Sequence, residues 1–153
     1  MGLLGLNKNP KYKQGYYNPI NPHKYIGKAP IIYRSGLELK FMLWCDKTDT
    51  IQKWSSESIA IPYYDPVKKY QRKYYVDNYV EILEGDVLKR YLVEIKPYKQ
   101  TIEPKATRGK KKSNLLYEQM QWITNSQGKW PACKEFAKKY GAEFIIITEN
   151  ELK

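Results

Sequence analysis

Alternating apolar and polar positions predict strands in the middle of the chain. Residues 72–83 are rich in aromatic and β-branched residues, and residues 91–97 read as an apolar strand. Between them, Gly85 and Asp86 form a recognised two-residue hairpin loop. The register set by this loop places Asp77 directly opposite Glu94. Residues 58–64 alternate and predict a first strand, so three antiparallel strands are expected in a meander.

Helical periodicity flanks this meander. Ser35 and Glu38 have the spacing of a capping box, which predicts a helix that runs to about residue 47. Residues 114–125 predict a second helix, and a third extends from Pro131 to Gly141. Residues 143–148 form a short continuous apolar run that is typical of a parallel strand buried on both faces. The order indicates an α/β sandwich with a mixed sheet.

The first 30 residues differ from the rest of the chain. They contain Asn, Pro, Lys, Gly and Tyr without a helical or strand period, and include three Asn-Pro turn dipeptides. We therefore expect an extended N-terminal arm over residues 1–30, which either wraps on the domain or contacts a partner. Residues 31–153 are expected to form one domain, since this length is sufficient for a hydrophobic core.

Charge and composition narrow the class of partner. The chain has 27 Lys and Arg against 16 Asp and Glu, a net charge of +11, and 15 tyrosines. A polyanion is the expected partner, with nucleic acid ahead of an anionic membrane surface. The alternative is a lysine-rich surface that reflects an AT-rich genome. No apolar run is long enough to cross a membrane, so a cytosolic protein is expected. Cys45 and Cys133, with a single histidine, do not make a usual zinc site and are predicted to be core thiols.

Two acids and a lysine gather on one face of the predicted hairpin. Alternation along the strand puts Glu94 and Lys96 on the same face, and the register adds Asp77. Two close carboxylates repel each other when both are ionised, and a hard divalent cation relieves that repulsion. On these residues alone, a structural salt bridge is an equally good interpretation.

The pattern of Asp77 followed by Glu94-Ile95-Lys96 after an apolar strand resembles the PD-(D/E)xK nuclease superfamily, although Val76 stands where the motif has proline. Further motifs occur in order along the chain: Tyr33-Arg34-Ser35-x-x-Glu38, Trp54-x-Ser56-Glu57, Ile61-Pro62-Tyr63 and Ile147-Thr148-Glu149. Together they resemble the head completion nucleases of T-even-like tailed phages, small relatives of the transposon-end endonucleases.

The resemblance implies a restriction-endonuclease-like fold and a metal-dependent DNA endonuclease. Glu38, Asp77, Glu94 and Lys96 match the catalytic positions, with Asp77, Glu94 and Glu38 as ligands of Mg²⁺ and with Mn²⁺ as a substitute. Glu38 has two interpretations, a helix cap or a metal-site residue, and the resemblance favours the second. Glu57 also matches, either to hold Arg34 or a lysine, or to close the turn before a strand.

The same resemblance implies action on packaged double-stranded DNA before the tail joins, with phage head, portal or neck proteins as partners. The expected location is the host cytoplasm, and association with the virion is left open. Two alternatives remain: a virion protein that binds or plugs DNA without cutting it, and a junction-resolvase-like nuclease.

A basic segment follows the Glu-x-Lys strand directly. Residues 98–112 have no period, and they carry six cations: Lys99, Lys105, Arg108, Lys110, Lys111 and Lys112. Such a segment predicts contacts to DNA phosphates that are independent of sequence and sensitive to salt. A solvated linker is the alternative for each of these residues.

Overall fold

The structure, a computed structural model, describes residues 14–152. In chain order, the strands are β1 (Gly15–Tyr17), β2 (Ile31–Tyr33), β3 (Ile51–Ser56), β4 (Ala60–Asp65), β5 (Tyr70–Tyr75), β6 (Asn78–Glu84), β7 (Val87–Ile95) and β8 (Glu143–Ile147). The α-helices are α1 (Gly36–Lys47), α2 (Lys112–Ile123) and α3 (Trp130–Tyr140). Within residues 14–152, no helix has the length and apolar character needed to cross a membrane.

A four-stranded mixed sheet lies at the centre, in the order β3-β6-β7-β8. The strands β3, β6 and β7 are antiparallel neighbours, and β8 joins β7 in parallel. Neighbouring residues of β7 point to opposite faces, so Val93 packs with residues of α1 and Leu92 packs with residues of α3. This arrangement confirms the predicted α/β sandwich. Cys45 and Cys133 are free and buried, one in each half of the core.

The ends of the helices follow their local chemistry. Ser35 Oγ accepts a hydrogen bond from the Glu38 amide at 3.1 Å, which confirms the predicted start of α1. Gly141 ends α3 with a φ of +74°, a conformation that favours glycine. The helix predicted over residues 114–125 begins earlier, at Lys112, and then widens into a π-helical turn, Thr124–Lys129, that leads into α3.

The prediction for the first strand of the meander was wrong. The sheet begins with β3, whereas residues 58–64 contribute to β4, which pairs with β5 in a separate two-stranded hairpin. Residues 72–83 are likewise two strands, β5 and β6, interrupted at Val76 and Asp77. The amide of Val76 donates to Ile59 and the carbonyl of Asp77 accepts from Glu57, so both bonds turn the chain from one sheet to the other.

Residues 14–30 lie against the domain. The strand β1 pairs with β2, and buried Asp46 at the end of α1 accepts hydrogen bonds from the Tyr17 hydroxyl and from the amides of Ile20 and Asn21. The Lys24 ammonium donates to the carbonyl of the same aspartate at 3.0 Å. Of the two arrangements expected for the arm, this part of it wraps on the domain. Residues 1–13 lie outside the described residues, and the division at residue 30 stays a prediction.

Candidate active site

The β6–β7 hairpin brings Asp77 and Glu94 together. Pairing runs from Glu84 with Val87 to Asn78 with Val93, which confirms the predicted loop and register. Asp77 is the residue before Asn78 and lies just beyond this last pair. Its Oδ2 accepts a hydrogen bond from the Ile95 amide at 2.7 Å. The two carboxyl groups therefore lie side by side where β6 begins and β7 ends.

Both oxygens of Glu94 are held by aromatic side chains. The Tyr74 hydroxyl donates to Oε1, and the Trp130 indole Nε1 donates to Oε2 at 3.0 Å. Glu94 is only 2% exposed, so these donors replace water that the carboxylate would otherwise bind. No pattern in the sequence indicates either contact, because Tyr74 lies inside a predicted strand and Trp130 lies just before the helix predicted from Pro131. Together they fix the orientation of Glu94.

The electrostatics of the pair favour a bound cation. Burial raises the pKa of the Asp77 carboxyl well above its usual range, and the charge of Glu94 raises it further. Mg²⁺ is typically bound by one or two carboxylates and completes its shell with water and phosphate oxygens. Each hydrogen-bonded oxygen of Glu94 keeps a second lone pair. The donor set therefore fits such an ion, although among residues 14–152 no cluster of three acidic, histidine or cysteine side chains forms a complete ligand set.

Comparison with known proteins identifies the family of the chain. The sequence profile of the TnsA-like endonuclease N-terminal family matches residues 48–149, which include the whole of the site just described. The chain belongs to the TnsA-like endonuclease family. It is also 34% identical over 143 residues to the head completion nuclease of Enterobacteria phage T4. The aligned region covers 91% of this chain and 93% of that protein. No solved structure gives a significant match.

Glu38 of this TnsA-like chain closes the start of α1. Its Oε1 accepts from the Arg34 amide at 3.3 Å, and its Oε2 accepts from the Ser35 hydroxyl at 3.4 Å. Burial raises the pKa of the Glu38 carboxyl, and the charge of Glu57 raises it further. Glu38 also raises the pKa of Asp77, to a smaller extent than Glu94 does, so it lies within electrostatic reach of the pair. The cap is present in the structure, and a role at the metal stays a prediction.

Glu57 has the first of the roles considered for it. Its carboxylate accepts from Arg34 Nε at 3.0 Å and from Arg34 Nη2 at 3.3 Å. Its φ of +49° shows that it also forms a tight turn after β3. The amide of Glu57 also donates to the Asp77 carbonyl. Glu57 therefore links Arg34, just before α1, to Asp77.

Lys96 lies two positions after Glu94, directly beyond the last residue of β7. Its amide donates to the Ile147 carbonyl at 3.0 Å, which extends the parallel pairing with β8 past the last strand residue. Its side chain is half-buried. The backbone of Lys96 is thus fixed by the sheet, directly after the strand that carries Glu94.

The basic segment divides into exposed and paired cations. Lys99, Lys105, Arg108, Lys111 and Lys112 are exposed. Lys110 differs, because its Nζ lies 2.8 Å from Glu118 Oε1 and 3.2 Å from the Lys105 carbonyl. The segment leaves the sheet directly after Lys96, and the amide of Tyr98 donates to Glu149 at 2.7 Å. The exposed members are free to contact phosphates, and their role in DNA binding stays a prediction.

Proposed function

We propose that this chain is a divalent-metal-dependent DNA endonuclease. The observation that carries the proposal is the pair of half-buried Asp77 and buried Glu94, with Lys96 two positions after Glu94, in a chain of net charge +11. Membership of the TnsA-like endonuclease family supports the same reaction class. Two neighbouring carboxylates with little access to water repel each other when both are ionised, and a cation that also binds a phosphodiester would relieve that repulsion.

Asp77 and Glu94 are the residues that would hold Mg²⁺ or Mn²⁺. Such an ion lowers the pKa of a bound water and neutralises charge on the phosphate. Tyr74 and Trp130 keep Glu94 in one orientation and exclude water from its far side. The Ile95 amide does the same for Asp77. Lys96 supplies a positive charge where negative charge develops on the phosphate in the transition state.

The test is cleavage of linear, circular and branched DNA by purified protein, with Mg²⁺ or with EDTA. Wild-type protein should cut with Mg²⁺ only, and the Asp77→Asn, Glu94→Gln and Lys96→Ala variants should not cut. The matched control is Glu81→Gln, because Glu81 lies on the same hairpin and accepts from Tyr79 at 2.7 Å, away from the pair. Cutting by all three site variants at the wild-type rate would place the active site elsewhere.

A wild-type protein that binds DNA but cuts none of these substrates would contradict the nuclease proposal. That result would favour the virion protein that binds or plugs DNA. Cutting restricted to branched DNA would instead favour the junction-resolvase-like activity. The three outcomes are separated by the same set of reactions.

We further propose a role in phage head completion, with head, portal or neck proteins as partners in the host cytoplasm. The support is the likeness to the head completion nuclease of phage T4 along nearly the full length of both chains. The test supplies wild-type chain or Glu94→Gln to a phage that lacks its head completion nuclease. Infectious particles with the wild-type chain alone would support the role and its need for cutting. Rescue by both would support a non-catalytic role, and rescue by neither would contradict the proposal.

For DNA binding, we propose that the exposed cations of residues 98–112 contact phosphates. Replacement of Arg108, Lys111 and Lys112 by alanine should weaken binding equally on all sequences. Each lost phosphate contact should flatten the slope of log K against log salt by about 0.9 on duplex DNA. The matched control is the triple replacement of Lys134, Lys138 and Lys139 by alanine, which also removes three charges, from exposed positions of α3. An unchanged slope would assign the segment to a solvated linker.

A further inference from the structure

Lys129 stands at the edge of the acidic pair, on an element that the family motifs do not include. It is the last residue of the π-helical turn Thr124–Lys129. Its Nζ lies 4.8 Å from the centre of the Tyr74 ring. Tyr74 is one of the two side chains that donate to Glu94, and the other is Trp130, which directly follows Lys129 in the chain. The turn therefore delivers a hydrogen-bond donor and an ammonium to the same place.

The shape of this turn is specified by Gly128. A Cβ atom at this position would lie 2.9 Å from Pro66 Cδ and 3.0 Å from the Tyr64 carbonyl oxygen, and the second contact is with backbone. Only glycine therefore allows the turn to lie directly on β4. π-Helical turns are rare and occur frequently at functional sites. The wide turn and the close approach both place Lys129 over the hairpin that carries Tyr74.

Lys129 lies within electrostatic reach of the acidic pair but makes no direct ion pair within residues 14–152. Among the described residues, no carboxylate forms an ion pair or a hydrogen bond with its Nζ, whereas Arg72 nearby is paired with buried Asp65 at 2.9 Å. Burial lowers the pKa of Lys129, the charges of Glu94 and Asp77 raise it, and the charges of Lys96 and Arg72 lower it. Lys129 is thus within electrostatic reach of both carboxylates and of Lys96, and its half-buried charge has no contacting carboxylate among the described residues, so it is available to an anion that binds there.

We propose that Lys129 is a further catalytic residue, which contacts a non-bridging oxygen of the phosphodiester held at the Asp77–Glu94 pair. The inference rests on the proposed nuclease function. Lys96 and Lys129 then form a phosphate subsite with an ammonium contributed from the sheet and another from the turn. A lysine binds phosphate as a point charge. Its charge strengthens the interaction as negative charge accumulates on the phosphate oxygens in the transition state.

The test compares three variants. Lys129→Met removes the charge and keeps the apolar stem, and Lys129→Arg restores a charge. Lys134→Met is the matched control, because Lys134 is exposed on α3 and its replacement removes the same net charge. The measurements are the single-turnover cleavage rate at saturating protein, the Kd for DNA with Ca²⁺ in place of Mg²⁺, and the melting temperature.

Lys129→Met should lower the single-turnover rate by roughly 10²–10³-fold, the typical effect of losing one group that stabilises transition-state charge. Lys129→Arg should recover part of the rate, and Lys134→Met should cut like the wild type. The Kd and the melting temperature of Lys129→Met should stay near the wild-type values. If Lys129→Met folds poorly, Lys129→Gln is compared with Lys129→Arg at matched folded fraction.

Failure of this inference and failure of the nuclease proposal give different results. A wild-type protein that cuts, an Asp77→Asn variant that does not, and a Lys129→Met variant that cuts at the wild-type rate would overturn this inference and leave the nuclease proposal intact. A lower melting temperature in Lys129→Met and Lys129→Arg, with an unchanged rate for each folded molecule, would assign Lys129 to stability through Tyr74. A wild-type protein that does not cut would overturn the nuclease proposal itself.

Discussion

Replacement of Tyr74 by phenylalanine removes one hydroxyl group and tests how far Glu94 depends on its donors. Burial raises the pKa of the Tyr74 phenol well above its usual range, and the charges of Asp77 and Glu94 raise it further, so the hydroxyl stays protonated at every pH of interest. A hydrogen bond to a charged group contributes about 1.5–3 kcal/mol. Because Glu94 is 2% exposed, water cannot replace the lost donor without rearrangement.

Tyr74→Phe should therefore lower the free energy of unfolding by about 1.5–3 kcal/mol without metal. For a chain of this size, each kcal/mol corresponds to about 2–4 °C in melting temperature. Cleavage should fall by about 10–100-fold, the usual effect of losing a group that orients a metal-binding carboxylate. The assays are thermal melting in EDTA and single-turnover cleavage over a range of Mg²⁺ concentrations, which separates weaker metal binding from a slower reaction.

Tyr79→Phe is the matched control for Tyr74→Phe. The Tyr79 hydroxyl also donates to a carboxylate, Glu81 Oε2, at 2.7 Å, and Glu81 faces Arg90 on the neighbouring strand. This variant should lose some stability and keep the wild-type cleavage rate. A Tyr74→Phe variant that melts at the wild-type temperature and cuts at the wild-type rate would show that Glu94 does not depend on the Tyr74 hydroxyl.

Three other variants test charge and capping. Without metal, Asp77→Asn should raise the melting temperature at pH 8 and give no gain below about pH 4. The pKa of Asp77 in the folded state lies above its unfolded value of about 3.9, so ionisation of Asp77 destabilises the fold as pH rises through the folded-state pKa. Cutting by this variant should fall to background. Asp46→Asn should lose about 1–3 kcal/mol for each donor left unpaired, measured by urea unfolding at pH 7. Burial would raise the pKa of Asp46, but hydrogen bonds from Tyr17 and two amides outweigh burial and lower it. The contribution of ionised Asp46 to the free energy of unfolding is therefore present above about pH 3.9 and is lost as pH falls through the folded-state pKa. Glu38→Gln should keep stability within a few tenths of a kcal/mol, because glutamine also caps, and should cut orders of magnitude more slowly if Glu38 binds the metal; full activity would leave only the cap.

The acidic pair could be predicted because a two-residue loop sets the register of the two strands that it joins. Gly85 adopts a φ of +65° in the two-residue turn, and once that turn is placed the pairing of β6 with β7 is fixed along its length. Asp77 and Glu94 then meet without any information from distant parts of the chain. The cap of α1 was predictable for the same reason, since Ser35 and Glu38 are close in sequence.

The rest of the site depends on contacts between residues that are far apart in sequence. Tyr74 and Trp130 lie 20 and 36 positions from Glu94. Residues 72–83 have strand composition throughout, so the break at Asp77 cannot be read from them. The break is determined by the backbone bonds of Val76 and Asp77 to the segment before β4. No pattern in residues 124–129 indicates a π-helical turn, because its width arises where Gly128 packs on β4.

The parallel pairing of β7 with β8 determines the order in which the site can assemble. An antiparallel hairpin joined by two residues closes locally, so the β6–β7 hairpin can form as soon as it leaves the ribosome. The β7–β8 pairing must wait for Glu143–Ile147 and for the helices that cross between the two strands. Trp130 lies in that crossover. During synthesis, the two carboxylates can therefore be brought together before the indole that orients Glu94 exists, and the orientation of Glu94 is completed only once the segment that forms α3 has been made.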